Sequence, residues 1–313
     1  LQFSSLMSVD ESDAVLAAYH AVRPDDHAKY LLTSGSTGLP KAVINTHRML
    51  TANQQQISQV WPFLNRHRLT LLEWLPWSHT FGGNHNFNMV LAHGGSLYID
   101  EGRPAPGLID KTVRNLREVK PNMHFNVPRG FDMLLPYLEQ DETFANDFFG
   151  NLEALFYAGA ALPQSLWQRL EGVARRVRER PVWFTSAWGS TETAPAITSL
   201  YWPIEQAGCI GGPLPGVELK FVPNAGKLEM RVRGPNVFGG YRNAAELSAK
   251  AFDAEGYYLI GDAGRLVDDA DPSQGVAFDG RVAEDFKLLS GTWVSVGTLR
   301  LRAVNALSPL AAD

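Results

Sequence analysis

Hydrophobic and polar positions along the chain follow two alternating periods. Short apolar runs bounded by turn residues predict strands over 29–33, 42–44, 70–74, 96–99, 123–127, 155–159 and 183–189. Apolar residues spaced three and four apart predict helices over 10–22, 46–60, 87–92, 111–119, 131–138 and 165–180. Ser8 and Asp10 are candidate caps for the first helix, and the strand at 29–33 reads as buried. Strands alternating with helices predict an α/β doubly wound, largely parallel sheet with helices on both faces.

The pattern changes near Cys209. Gly211-Gly212-Pro213 and Pro215-Gly216 break the chain, and 217–221 and 228–232 then alternate with period two about a turn at 224–226. The expected organisation is an α/β unit over 1–205, a β-rich subdomain over 206–279, and a hinge with the start of a further domain over 280–313. The chain opens without an initiator methionine and stops after the unfinished apolar pattern 299–304, which predicts a fragment of a longer protein.

Composition narrows the functional classes. Lys and Arg total 28 against 33 Asp and Glu, a net charge of −5, so no nucleic-acid footprint is expected. The basic run Arg169 to Arg180 reads as a solvated helix face. The single cysteine, Cys209, forms no internal disulfide and reads as a small core residue. No secretory signal opens the chain and no apolar run reaches the roughly 20 residues of a membrane span, so a soluble cytoplasmic protein is expected. Histidines 67, 79, 85 and 93 lack a compact zinc spacing.

The richest chemistry lies in Thr33-Ser34-Gly35-Ser36-Thr37-Gly38-Leu39-Pro40-Lys41. Glycine N–H groups approach phosphate oxygens closely because no Cβ intervenes. Ser34, Ser36 and Thr37 add hydroxyls, and Lys41 adds a charge. The ending is not that of a Walker A loop, and by itself such a run also describes a solvated turn. Thr191 and Glu192 follow the strand at 183–189. A carboxylate beside phosphates needs an intervening cation, so Glu192 points to Mg²⁺; the alternative is a helix-capping pair. Trp188 offers a flat face to a base or fills the core, and Asp262 after Gly261 accepts both hydroxyls of a ribose or closes a turn. His79, with Asn84, His85 and Asn86, offers polar contacts to a phenol or carboxylate, or satisfies the core. Trp77, Phe81 and Phe87 offer an aromatic acid a flat slot.

Several ordered blocks resemble the acyl-adenylating superfamily of AMP-forming acyl-CoA synthetases, luciferases and peptide-synthetase adenylation domains. They are 33–43, Trp188-Gly189-Ser190-Thr191-Glu192-Thr193, Tyr258-Leu259-Ile260-Gly261-Asp262 and Asp279-Gly280-Arg281. The wording of 280–294 is similar to the feruloyl-CoA synthase branch. The resemblance implies that the parent enzyme activates a hydroxycinnamic acid with ATP and Mg²⁺ and transfers it to CoA. A carrier-protein thiol as acceptor, and a non-catalytic nucleotide-binding relative, are the alternatives. It assigns catalysis to Lys41, Thr191, Glu192 and His79, with Glu192 on the metal. Residues Thr33, Ser34, Gly35, Ser36, Thr37, Gly38 and Lys41 are implied to hold the phosphates. Gly159, Ala160, Trp188, Gly189 and Thr191 are implied to border adenine and the α-phosphate, Asp262 the ribose, and Arg281 the ribose or phosphate side. Ala283 stands where the family often has aspartate or lysine, so the hinge residue is not identified. The resemblance also implies that most of the N-terminal subdomain and nearly all of the C-terminal domain are absent, with weak or no activity expected of the isolated chain. Oligomeric state is left open.

Overall fold

The computed structural model of the 313-residue chain describes residues 5, 9–33, 40–204, 207–224 and 226–282, with 286–287, 293–294, 296, 299 and 303. Three short parallel strands form the centre: β5 (Met123–Asn126), β6 (Ala154–Tyr157) and β7 (Trp183–Gly189). A parallel pair, β3 (Thr70–Glu73) and β4 (Ser96–Ile99), continues them, because Asn122 just before β5 donates its N–H to Thr70 O. The sheet differs from the expected parallel one on the other side. There β8 (Ala196–Ser199) and β9 (Gly212–Pro213) add in antiparallel sense. The link from β7 to β8 is too short for a parallel crossover, which needs a dozen or more residues.

Period-two alternation sends side chains to both faces. Leu155 and Tyr157 pack with α4 (Ile109–Val119), α5 (Pro128–Gln140), α6 (Glu142–Gly150) and α7 (Gln164–Val177). Their neighbours Ala154 and Phe156 face the other way, against Ile57 and Trp61 at the end of α2 (His47–Val60) and Met89 of α3 (Asn88–His93). This is the expected helices-on-both-faces arrangement. Each fully buried Leu or Phe contributes roughly 1.5–3 kcal/mol.

A third cluster joins the β-rich part to the rest. A four-stranded antiparallel sheet is built from β10 (Glu218–Asn224), β11 (Lys227–Arg233), β12 (Tyr258–Leu266) and β13 (Val276–Arg281). Its Met230, Val232, Tyr258 and Ile260 pack with Val43, Trp188 and Ile197. Between β11 and β12 lies α8 (Ala245–Lys250).

Two N-terminal expectations are corrected. Helix α1 (Asp13–Ala21) is capped by Ser12, whose side chain accepts from Val15 N, rather than by Asp10, and Ser8 lies outside the described residues. Strand β1 (His27–Thr33) is not buried in the main sheet. It forms a two-stranded antiparallel ribbon with β2 (Lys41–Thr46), and Leu32 is 69% exposed. A ribbon of two strands presents only one face to a core, so Leu31 and its register partner Val43 are buried while Tyr30 and Leu32 meet solvent.

Candidate active site

The hairpin positions the first candidates. Thr33 and Lys41 are its last register pair, so the glycine-rich connection between them starts and ends at one place. Ser34, Gly35, Ser36, Thr37 and Gly38 themselves lie outside the described residues, as does Ala283. Thr33 and Lys41 line a polar cavity of about 570 Å³, together with Thr191, Glu192, Tyr241 and Tyr258.

Glu192 is buried in a single 3₁₀ turn, Thr191–Thr193, immediately after β7. Ser190 N donates to Thr193 Oγ1 at 2.8 Å on that turn, so the Thr193 hydroxyl is used inside the turn as the capping alternative expects. Thr191 and Glu192 remain on the cavity wall. Gly189 is required by close approach, because a Cβ there would collide with Pro195 O. Asn236 Nδ2 donates to Thr193 O at 2.7 Å and to Ala196 O at 2.9 Å, and Phe238 N donates to Glu192 O, fixing the segment from behind.

Tyr241 was not singled out by sequence; the local signal that precedes it is the pair Gly239-Gly240. Its hydroxyl donates to Glu192 Oε1 at 2.9 Å, and Lys41 Nζ donates to the same hydroxyl at 3.5 Å. The ammonium also stands 4.8 Å from the Tyr241 ring centroid. Burial, and then the adjacent Glu192 charge, hold the Tyr241 hydroxyl well above the usual phenol range, so it stays a donor. Among the described residues no group of three or more His, Cys, Asp or Glu could hold a metal. A single carboxylate nevertheless suits Mg²⁺, which is commonly bound by one or two carboxylates with substrate phosphates and water.

A second cavity, of about 340 Å³, is more apolar and is lined by Phe81, Phe156, Trp188 and the loop Gly159-Ala160-Ala161. Gly159 has φ +84°, a left-handed turn that favours glycine. His79, Thr80, Gly159, Gly189 and Arg281 line both cavities, so the two spaces share a wall. His79 Nδ1 accepts from Phe81 N at 3.2 Å, and partial burial lowers its pKa. Trp188 is both core and wall: it packs with Val43 and Ile197, while its Nε1–H donates to Asp262 Oδ2 at 2.8 Å. Arg281 Nε lies 3.0 Å from Asp262 Oδ1. Both Asp262 oxygens thus already have a partner before any ribose arrives.

The expected acyl slot is redrawn. Trp77 and Phe87 pack on each other with centroids 4.8 Å apart, and neither lines either cavity. Asn84 donates to Asn45 Oδ1 at 2.7 Å and Thr80 Oγ1 at 3.0 Å. Asn86 donates to both Glu73 oxygens, at 2.8 and 2.7 Å. These amides are consumed inside the protein because residues 81–87 wind as a π-helix that turns them away from the cavity and into the core. Phe81 and His85 do line it. Cys209, expected in the core, is half-buried on the cavity wall.

The model of the family described as AMP-binding enzyme matches residues 4–242. Over 266 residues the chain is 27% identical to a malonate–CoA ligase of Arabidopsis thaliana, covering 78% of this chain and 41% of that protein. It is 29% identical to the medium-chain fatty-acid–CoA ligase of Escherichia coli strain K12, covering 84% and 45%. The chain therefore spans less than half the length of these two relatives. A malonyl-CoA ligase solved as a ternary product complex with methylmalonyl-CoA and AMP is 28% identical, with TM-score 0.71 over 89% of this chain and 58% of that one. Matched by that model over residues 4–242, the chain belongs to the AMP-binding enzyme family.

Proposed function

We propose that the protein of which this chain is part activates a carboxylic acid with ATP, forming an acyl-adenylate that a thiol then consumes. The observation that carries this reading is the shared wall of the two cavities. A polar space with Lys41, Thr191 and Glu192 suits a polyphosphate, and the second space, lined by Trp188 and Asp262 as well as Phe81 and Phe156, would take the nucleoside and the acyl group. The reacting carboxylate must meet the α-phosphorus where they join, at His79, Gly159 and Gly189. The carboxylate oxygen bonds to the α-phosphorus as the bond to the β-phosphate oxygen breaks and pyrophosphate leaves. No protein nucleophile takes part, so catalysis rests on positioning and charge neutralisation.

Lys41 and Thr191 would bind phosphate oxygens there. Glu192 would hold Mg²⁺, which when bound neutralises phosphate charge. Tyr241 would keep the Glu192 carboxylate oriented. Trp188 would border adenine, and Asp262 would use its remaining lone pairs for the ribose. The two curated relatives are named as CoA ligases, for malonate and for medium-chain fatty acids. They support CoA as one acceptor, with a carrier-protein thiol as the other reading, and give no support to ferulate. An aromatic acid is the finer reading, supported by Phe81 and Phe156 on the cavity wall and by the wording of 280–294.

Acid-dependent ATP–pyrophosphate exchange tests the reaction, with malonate, octanoate and ferulate compared side by side. We expect slow exchange in this chain, abolished in Glu192→Gln and reduced about 100-fold or more in Lys41→Ala. ATP binding that ignores both Mg²⁺ and Glu192→Gln would defeat the assignment of Glu192. AMP release that requires CoA with a free acid separates CoA from a carrier-protein thiol.

A further inference from the structure

Among the described residues, the wall of the polar cavity carries the cations Lys41, Lys250 and Arg281 against a single carboxylate, Glu192. The chain as a whole has a net charge of −5, so this gathering of positive charge runs against its average. Two of the three cations are engaged. Arg281 Nε lies 3.0 Å from Asp262 Oδ1, and Lys41 Nζ donates to the Tyr241 hydroxyl. The Lys250 side chain makes no ion pair and no hydrogen bond among the described residues. It is exposed, but its backbone is fixed. Lys250 ends α8, whose Ser248 Oγ donates to Ala244 O at 2.8 Å and accepts from Tyr241 N at 2.8 Å. The carbonyl of the next residue, Ala251, accepts from Leu259 N of β12 at 2.9 Å. The helix is thus tied at one end to Tyr241, which bonds Glu192, and at the other to the β-rich sheet. A lysine is a compact charge on a flexible stem, so a fixed backbone still leaves its ammonium free to follow a ligand.

Its place on the wall decides what it can meet. His79, Thr80, Gly159, Gly189 and Arg281 border both cavities, where the α-phosphorus has to lie. Lys250 borders the polar cavity alone, as do Thr33 and Lys41 at the end of the hairpin. We propose that Lys250 binds the β- and γ-phosphates of ATP, and the pyrophosphate they become, reaching them from α8 while Lys41 reaches them from the hairpin. This rests on the acid-activating reading and adds a second cation to its polyphosphate site. No carboxylate has to be released before Lys250 makes the contact, so its charge-assisted hydrogen bond is not offset by a broken ion pair. The contact is open to solvent and is therefore screened by salt.

Calorimetry on the 313-residue chain tests this with ATP, pyrophosphate and AMP, each in the presence of Mg²⁺ and without any acid. AMP shares the nucleoside and the α-phosphate but lacks the outer phosphates. We expect Lys250→Ala to weaken ATP and pyrophosphate about tenfold and to leave AMP unchanged. Lys250→Arg, which keeps the charge, should retain most of the affinity, and the loss in Lys250→Ala should shrink at roughly 0.5 M salt. Arg176→Ala on α7 removes one exposed charge that lines neither cavity, and should leave all three ligands as they were. An equal loss of ATP and AMP would mean that Lys250→Ala disturbs the fold of the site, and would overturn the inference. So would an unchanged affinity for ATP and pyrophosphate, or a loss that Arg176→Ala reproduces, which would make it an effect of net charge. Each of these leaves acid activation standing. A wild-type chain that binds neither ATP nor pyrophosphate defeats the polyphosphate reading of the cavity together with this one.

Discussion

Tyr241 connects the two charged side chains that the sequence points to most strongly. Lys41 and Glu192 are far apart in sequence, yet both reach one hydroxyl. That arrangement keeps a buried carboxylate hydrogen-bonded without neutralising it through direct ion pairing. It also holds Lys41 beside the cavity on the face of an aromatic ring, where cation–π attraction adds to the hydrogen bond. Tyr241→Phe keeps the ring and removes the hydroxyl, so Lys41 stays near while Glu192 loses its fixed orientation. Removal of such an outer-shell partner typically costs 10–100-fold in metal affinity. We expect ATP titrations to show about a tenfold rise in the Mg²⁺ concentration needed for half-maximal binding, with metal-free ATP binding nearly unchanged. A loss of ATP binding that is equal with and without Mg²⁺ would place Tyr241 in phosphate binding instead.

The π-helix at 81–87 is the element on which both cavities depend, because His79 and Thr80 lead into it and His85 lies within it. Gly82 and Gly83 allow it: a Cβ at Gly83 would press into the Trp77 carbonyl, and one at Gly82 would meet Pro76 O at 2.7 Å. Both obstacles are backbone atoms, so neither can swing aside. Gly83→Ala should cost about 2 kcal/mol, as overpacking does, and lower the melting temperature. Because His85 rides on the same turn, acid affinity should fall with it. An unchanged melting temperature would show that the turn has room to relax.

Sequence periodicity located the strands at 96–99 and 183–189 without error, and most helices within two or three residues. It placed the helix here at 87–92 and missed the π-turn, because a five-residue hydrogen-bond spacing leaves no distinctive apolar repeat. The roles of Asn84 and Asn86 were misjudged for the same reason, since periodicity does not say which polar residues point inward. Tyr241 was invisible because its partners lie 49 and 200 residues away in sequence. By contrast Thr33, Lys41, His79, Gly159, Ala160, Trp188, Gly189, Thr191, Glu192, Asp262 and Arg281 all line one cavity or the other. Thr33, Lys41, Thr191, Glu192 and Asp262 were legible from their donors and charge, whereas Gly159, Ala160 and Arg281 came with the family resemblance, since nothing in their residue types alone marks a site.

At the scale of the whole molecule, the buried groups Glu73, His85 and His124 shape how stability depends on pH. Burial pushes the Glu73 carboxyl up to about 8, against its hydrogen bonds from Asn86. Burial pushes His85 and His124 down to about 4. The signs oppose. The folded chain binds fewer protons at the histidines than the unfolded chain, so their contribution is lost as pH falls from 6.5 towards 4. At Glu73 the folded chain binds more, so stability falls as pH rises from 4.5 towards 8. Between 4.5 and 6.5 two histidines outweigh one carboxyl, and above 6.5 the Glu73 slope acts without them. The melting temperature should therefore peak near the ordinary histidine value of 6.5 and decline on the alkaline side. Glu73→Gln preserves shape and one acceptor for Asn86 while removing the titration. We expect it to flatten the alkaline limb and to melt about 3 °C or more above wild type at roughly pH 8.5, with little difference at roughly pH 4.5. Parallel wild-type and variant curves across that range would mean that Glu73 is already ionised in the folded protein. Its charge would then be held by the two hydrogen bonds from Asn86 Nδ2, which leave the Asn86 oxygen to accept from His85 Nδ1–H.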